Sequence, residues 1–138
     1  MGMSLCKDQA DTRPATRKLT LWGDYINPET KCILTVLNMH HIDYEFRLID
    51  TMREEHKLSE EFNNVSPIQE IPCITEGSYK IISGPCQFMF YLCNTRSIIK
   101  DNLYPKDCER MINRHIAWYQ NKLRPKTQKL NKMLQRQL

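Results

Sequence analysis

The apolar positions of the chain follow two periods, which predict strands that alternate with helices. Alternation of apolar and polar residues predicts strands at 18–22 and 44–49. Apolar residues at helical spacing predict a helix between them that begins at Pro28 and ends near His40-His41. Its apolar stripe consists of Cys32, Ile33, Val36 and Leu37. Two parallel strands joined by a helix form a right-handed βαβ unit.

A β-β-α unit follows the βαβ unit. Short apolar runs at 73–75 and 79–82 predict two strands, which a hairpin turn at Gly77 can join because glycine tolerates positive φ. Pro85 predicts the start of a helix, since the N–H that proline lacks would be unpaired in a first helical turn. The chain enters this unit through the Ile71-Pro72 bond.

A set of short motifs runs through this pattern in order. They are His56, Ser59-Glu60-Glu61-Phe62, Ser66-Pro67, Ile71-Pro72, Glu76-Gly77 and Phe90-Tyr91-Leu92. In this order they resemble the glutathione S-transferases, nearest to the theta class, over roughly Leu19 to Pro125. The resemblance implies an α/β fold, with an arm at 1–17, a thioredoxin-like (βαβ-ββα) domain at 18–97 and a truncated helical segment at 98–138. It also implies that the Ile71-Pro72 bond is cis.

The resemblance assigns candidate residues for binding and activating glutathione. Asn27 takes the place of the catalytic serine of the family, and Tyr25 offers a hydroxyl from another position in the same turn. His56 matches the histidine that meets the glycyl carboxylate, while the backbone of Ile71, before Pro72, pairs with the cysteinyl part. Asn27 also suits a helix N-cap, so capping and catalysis both stay open.

The third part of the family site is altered in this sequence. The family holds the γ-glutamyl carboxylate with Glu-Ser at a helix N-terminus, where this chain has Ser83-Gly84 or, in the other register, Gly84-Pro85. The acid is missing in both registers, and Pro85 would also remove a binding N–H. Glu70 stands where theta-like chains usually carry lysine, which reverses a charge.

The C-terminal part combines helical periodicity with basic charge. After a polar linker, apolar residues at helical spacing over 106–123 resemble the first helix of the transferase C-terminal domain. The tail then carries one apolar stripe, which consists of Leu130, Met133, Leu134 and Leu138. Because the further helices of the family are missing, the sequence predicts no cleft for a hydrophobic substrate. It predicts instead that the helix and tail dock on a protein partner or a second copy.

Composition narrows the remaining alternatives. The net charge is +4, and six Lys and Arg residues with no acid lie between Lys122 and Leu138, for which a solvated helix end is favoured over a nucleic-acid surface. No apolar run approaches the ~18 residues of a membrane span. Six cysteines without C-x-x-C spacing predict a reducing, cytoplasmic location with neither a metal site nor disulfides.

Two functions follow from these observations. The altered site favours a degenerate theta-like transferase domain, a pseudoenzyme that acts as a structural or protein-interaction module in a larger, for instance cytoskeletal, assembly and requires no cofactor. The alternative is a small glutathione transferase that conjugates glutathione to an electrophile. In that case Asn27 or Tyr25 activates the thiol and His56 holds the glycyl end.

Overall fold

The computed structural model describes residues 17–82 and 84–137, without the side chains of Ile98 and Gln135. The predicted arm therefore lies outside the described residues up to position 16, and so do Ser83 and Leu138.

Four strands form one mixed sheet in the order β2-β1-β3-β4. The strands are β1 (Leu19–Gly23), β2 (Tyr44–Leu48), β3 (Cys73–Glu76) and β4 (Tyr79–Ile82). β1 and β2 run parallel, whereas β3 is antiparallel to both β1 and β4. This topology confirms the predicted α/β fold of the thioredoxin-like type.

In the part of the chain that the structure describes, five helices accompany the sheet. They are α1 (Pro28–Met39), α2 (Glu55–Leu58), α3 (Glu60–Val65), α4 (Pro85–Thr95) and α5 (Ser97–Leu103). α1 and α4 begin at the predicted prolines. The expectation of a polar linker after α4 is wrong over 97–103, because α5 buries Ile99 completely. The polar stretch after β2 likewise holds two short helices, and Phe62 on α3 is fully buried.

The four strands and helices α1 to α5 are called the α/β part. Two apolar clusters hold it together. The larger joins β1 and β3 to α1, α4 and α5, and its buried members include Leu21, Leu37, Ile74, Phe88 and Leu92. The smaller consists of Trp22, Ile49, Phe62 and Cys73. Since burial of each large apolar side chain stabilises a fold by about 1.5–3 kcal/mol, these clusters fix the α/β part.

A long helix follows a 3₁₀ turn at Lys106–Cys108. It consists of α6 (Glu109–Trp118), a π-helical turn (Tyr119–Leu123) and α7 (Arg124–Gln135). The predicted helix and tail are thus continuous. Pro125 lies in the first turn of α7, where its missing N–H is tolerated. No described residue of this long helix is buried.

Candidate functional site

A cleft of about 510 Å³ lies between the α/β part and the long helix. The α/β wall includes Asn27, Glu29, Cys32, Ile71, Pro85 and Cys86. The helical wall includes His115, Ile116, Tyr119, Leu123, Thr127 and Asn131. The expectation that no cleft would form without further helices is therefore wrong, since the long helix alone provides the second wall.

Asn27 lies on the cleft wall at the start of α1. Its side-chain Oδ1 accepts hydrogen bonds from the backbone N–H of Glu29 at 2.8 Å and of Thr30 at 3.0 Å. These contacts confirm the capping interpretation, because they pair two N–H groups that the first helical turn leaves without partners. The Asn27 NH₂ group donates to no other described residue, so the side chain keeps a donor for a ligand in the cleft.

The loop that carries Asn27 is anchored by Asp24. Its buried carboxylate accepts from the N–H of Ile26 at 3.1 Å, and from the N–H and hydroxyl of Thr51 at 3.0 and 2.5 Å. Burial opposes ionisation of Asp24, but the bonds from Thr51 and Ile26 outweigh it and lower its pKa. The loop after β1 is thereby tied to the loop after β2, which fixes the position of Asn27.

The Ile71-Pro72 peptide bond is cis, as the resemblance implies. Ile71 lines the cleft, and neither its N–H nor its C=O bonds to another described residue. The preceding loop is held by buried Ser66, whose hydroxyl donates to the carbonyl of Glu70 at 3.1 Å. The Ile71 backbone is therefore presented to the cleft by a constrained loop.

The start of α4 forms another part of the wall. Gly84 precedes the helix with φ +86°, and Pro85 is its first residue. Because proline has no N–H, this helix presents one donor fewer to a carboxylate than a serine at the same place would. Of the two candidate pairs, the structure describes Gly84-Pro85.

His56 and Tyr25 do not line the cleft. His56 lies on α2, where its Nδ1 is buried without a partner among the described residues. Burial, followed by the charge of Lys57, lowers the pKa of His56 against the opposing effect of Glu54. Tyr25 stacks on Phe46 with 4.6 Å between ring centroids. The structure thus brings Asn27 and Ile71 together in one cavity, without these two side chains.

Sequence reasoning missed a polar cluster at the cleft. The Glu29 carboxylate accepts from the Tyr119 hydroxyl at 3.0 Å, and from Arg124 Nε at 2.7 Å and Nη2 at 3.4 Å. Glu29 is an ordinary first-turn acid in the sequence pattern, and Arg124 belongs to the basic tail. No periodicity links residues 95 positions apart.

Two thiols also face the cleft. Cys32 was expected on the buried stripe of α1, but it is exposed, because its side of the helix borders the cleft. Partial desolvation by the surrounding cleft is the largest effect on both Cys32 and Cys86 and raises the pKa of each, and the charge of Glu29 raises both further. The Glu29 carboxylate therefore disfavours the thiolate form of both cysteines in this cavity.

The described residues offer neither a metal site nor a membrane span. Within 17–82 and 84–137, no three His, Cys, Asp or Glu side chains are grouped so that they could hold a metal ion. None of the helices described is both long enough and apolar enough to cross a membrane.

Comparison with curated proteins finds glutathione S-transferases. The chain is 28% identical over 109 residues to glutathione S-transferase theta-1 of Bos taurus, which covers 77% of this chain and 44% of that protein. It is 24% identical over 110 residues to glutathione S-transferase T2 of Arabidopsis thaliana, which covers 78% and 18%. The chain thus spans less than half the length of these relatives. No protein-family model matches it.

Solved structures show the same fold. The human glutathione S-transferase T1-1 apo form superposes with a TM-score of 0.67 at 23% identity, covering 77% of this chain and 44% of that one. A glutathione transferase homologue from a fruit fly, solved with bound glutathione, gives 0.65 at 22% identity, covering 76% and 48%. The shared part is the thioredoxin-like N-terminal fold.

Proposed function

The chain resembles the theta-class glutathione S-transferases in sequence and in fold, and on that basis we propose that it is a glutathione transferase. It binds glutathione in the cleft and conjugates the thiol to an apolar electrophile. The cleft of about 510 Å³ carries this proposal, because it is of the size typical of small-molecule sites, roughly 300–1,000 Å³.

Two described residues of the α/β wall act on the thiol. The Asn27 NH₂ donates a hydrogen bond to the glutathione sulfur, while the Ile71 backbone pairs with the cysteinyl peptide. The N-terminus of α1, which Asn27 caps, also favours negative charge at this place. These contacts hold the reactive sulfur at the α/β wall.

The long helix supplies the apolar side for the electrophile. Ile116 and Leu123 lie across the cleft from Met89. The thiolate sulfur forms a bond to the electrophilic carbon, and the leaving group departs with the electron pair of the broken bond. The thiol proton passes to solvent before this step. Apolar walls favour substrates such as aryl or alkyl halides.

The ends of the tripeptide are held less well. Pro85 withholds an N–H from the γ-glutamyl carboxylate, and Glu70 adds negative charge near the cleft. We expect a dissociation constant of about 1 mM, equivalent to roughly 4 kcal/mol of binding free energy. Pro85→Ser restores the N–H and a hydroxyl, and is expected to tighten binding several-fold.

The test is calorimetry with glutathione together with conjugation of a chromogenic aryl halide. Wild type is expected to bind and turn over, while Asn27→Ala is expected to lose about a hundredfold in rate and Asn27→Ser to retain most of it. A donor on a positioned side chain is worth this much when it contacts the reacting atom. No heat from wild type, with heat gained by Pro85→Ser, would show that only the scaffold remains.

A second function is favoured by the outer surface of the long helix. Leu130, Met133 and Leu134 are each more than half exposed, and positions 110–138 contain eight Lys and Arg residues but no Asp or Glu. Exposed apolar patches with flanking charge mark interfaces. In this function the helix docks on an acidic protein partner or on the acidic residues of a second copy.

Light scattering of the purified chain at low and high salt tests whether the helix docks on a second copy. Docking on a second copy predicts the mass of a dimer at low salt and a lower mass at high salt.

A further inference from the structure

A polar cluster joins the two walls of the cleft. The Glu29 side chain on α1 is only 12% exposed and that of Arg124 on the long helix only 24%. Their ion pair is 2.7 Å long, and the Tyr119 hydroxyl adds a third hydrogen bond to the same carboxylate at 3.0 Å. A charged pair shielded to this degree is screened less by solvent than a surface pair.

The π-helical turn of the long helix allows Tyr119 and Arg124 to contact the same carboxylate. In an α-helix, residues five apart point about 140° away from each other. The π-helical turn at Tyr119–Leu123 bonds each residue to the one five positions on, so Tyr119 and Arg124 come to the same side. Both can therefore contact Glu29. π turns often mark functional positions in helices.

Glu29 lies in the same cavity as two thiols and near the position proposed for the glutathione sulfur. It follows Asn27 by two residues and lines the same cavity as Cys32 and Cys86. Its charge raises the pKa of both thiols in addition to the larger effect of burial, whereas Arg124 lowers the pKa of Cys86. A glutathione sulfur beside Asn27 would meet the same two opposing charges.

We propose that Arg124 is a positioning residue of this site, which offsets the charge of Glu29 so that a thiolate can form beside Asn27. This inference rests on the proposed function. Tyr119 fixes the carboxylate in its pairing geometry. The charged and titratable groups around this point are Glu29 and Cys32 from α1, Glu70 from the loop before β3, Cys86 from α4, and His115, Tyr119 and Arg124 from the long helix.

Cys86 allows a test that needs no glutathione. The rate of Cys86 alkylation by iodoacetamide is measured against pH by peptide mass spectrometry in wild type, Arg124→Gln, Glu29→Gln and the double variant. Arg124→Gln is expected to slow alkylation at pH 8 several-fold, because loss of the arginine raises the pKa of Cys86, and Glu29→Gln is expected to speed it. The double variant is expected to follow Glu29→Gln. Arg136→Gln, which removes an exposed arginine from the end of the same helix, is the matched control and should leave the rate unchanged.

The direction in which Arg124→Gln changes the alkylation rate of Cys86 distinguishes an electrostatic role of Arg124 from a purely structural one. If Arg124 only docked the helix, its loss would expose Cys86 and speed alkylation, which would overturn the proposal. An unchanged rate in Arg124→Gln would overturn it as well. Slower alkylation in Arg124→Gln, with rescue by Arg124→Lys, would support it.

The second measurement is the pH dependence of kcat/KM for aryl halide conjugation. Arg124→Gln is expected to move the acid limb to higher pH, and Arg124→Lys to restore it. If wild type does not conjugate glutathione, the proposed function fails, while the Cys86 result still decides whether Arg124 offsets Glu29. If wild type conjugates glutathione and Arg124→Gln shows the same pH dependence of kcat/KM, the proposed function holds but the inference about Arg124 is overturned.

Discussion

The α/β part and the long helix face each other across the cleft, but different forces fix them. Among the residues that the structure describes, the sheet, its helices and the loops between them bury fourteen apolar side chains. No described residue of the long helix is buried. Its less exposed side consists of half-buried residues such as Ile112, Ile116 and Tyr119. Apolar burial therefore fixes one wall, whereas the position of the other depends strongly on the Glu29–Arg124 pair.

This difference matters for the chemistry of the cleft. Asn27 and Ile71 belong to the wall that the core supports, so their geometry survives changes in the long helix. The electrophile side belongs to the wall with few contacts. An ion pair shielded from solvent to this degree is sensitive to the loss of either partner, because the remaining charge is left without compensation. The thiol side should thus be more robust than the substrate side.

The largest expected effect comes from the core of the α/β part. Phe88 is 1% exposed in the main cluster, and Phe88→Ala should lower the free energy of unfolding by about 3–5 kcal/mol through lost burial and a cavity. Urea unfolding followed by Trp22 fluorescence, in a Trp118→Phe background, measures it. A loss below about 1 kcal/mol would contradict the contrast between the two walls.

Asp24 should show a smaller effect that depends on pH. Asp24→Asn removes charge-assisted bonds to Thr51 and Ile26, with an expected loss of about 1.5–3 kcal/mol at pH 7. The pKa of Asp24 is lowered from 3.8 in the folded state, so this stabilisation is complete above that value and fades as pH falls through the folded-state pKa. Urea midpoints of wild type and Asp24→Asn should therefore differ at pH 6–7 and converge as the pH falls below the folded-state pKa of Asp24. A constant difference would refute the role of the charge.

Capping by Asn27 should contribute less. Asn27→Ala removes the acceptor for two N–H groups of α1 and should lower stability by about 1 kcal/mol. Asn27→Asp keeps the acceptor, so it should retain this stability while losing the NH₂ donor. Equal destabilisation by both substitutions, measured by urea unfolding, would mean that the carboxamide stabilises α1 in some way other than capping.

The sequence predicted the parts of the fold that depend on periodicity. β1 and β2 followed from alternation, β3 and β4 from short apolar runs on either side of Gly77, and the starts of α1 and α4 from Pro28 and Pro85. It missed α3 and α5, because helices of six and seven residues are too short to establish an apolar period. Each has one apolar pair on its inner side, Phe62 with Val65 on α3 and Ile99 with Leu103 on α5.

The candidate site was predicted only in part, for a similar reason. Asn27 and Ile71 lie in motifs that a reader can recognise locally. The cleft and the pairing of Glu29 with Arg124 depend on where the long helix lies, and the π turn that sets its phase has no sequence signature. A basic tail read as solvated thus contains one arginine that is mostly shielded by its partner.

The smallest effect on stability is expected on the outer surface of the long helix. Leu134 is 51% exposed, so Leu134→Ala should change the free energy of unfolding by no more than about 0.5 kcal/mol. Its effect on association is the sharper measurement, because a side chain that is dispensable for folding can still be required at an interface. A dimer mass that falls in Leu134→Ala but not in Arg136→Gln would assign the apolar stripe to a contact between copies. A loss of stability comparable with that of Phe88→Ala would instead mean that the long helix is part of the core, and the contrast between the two walls would no longer hold.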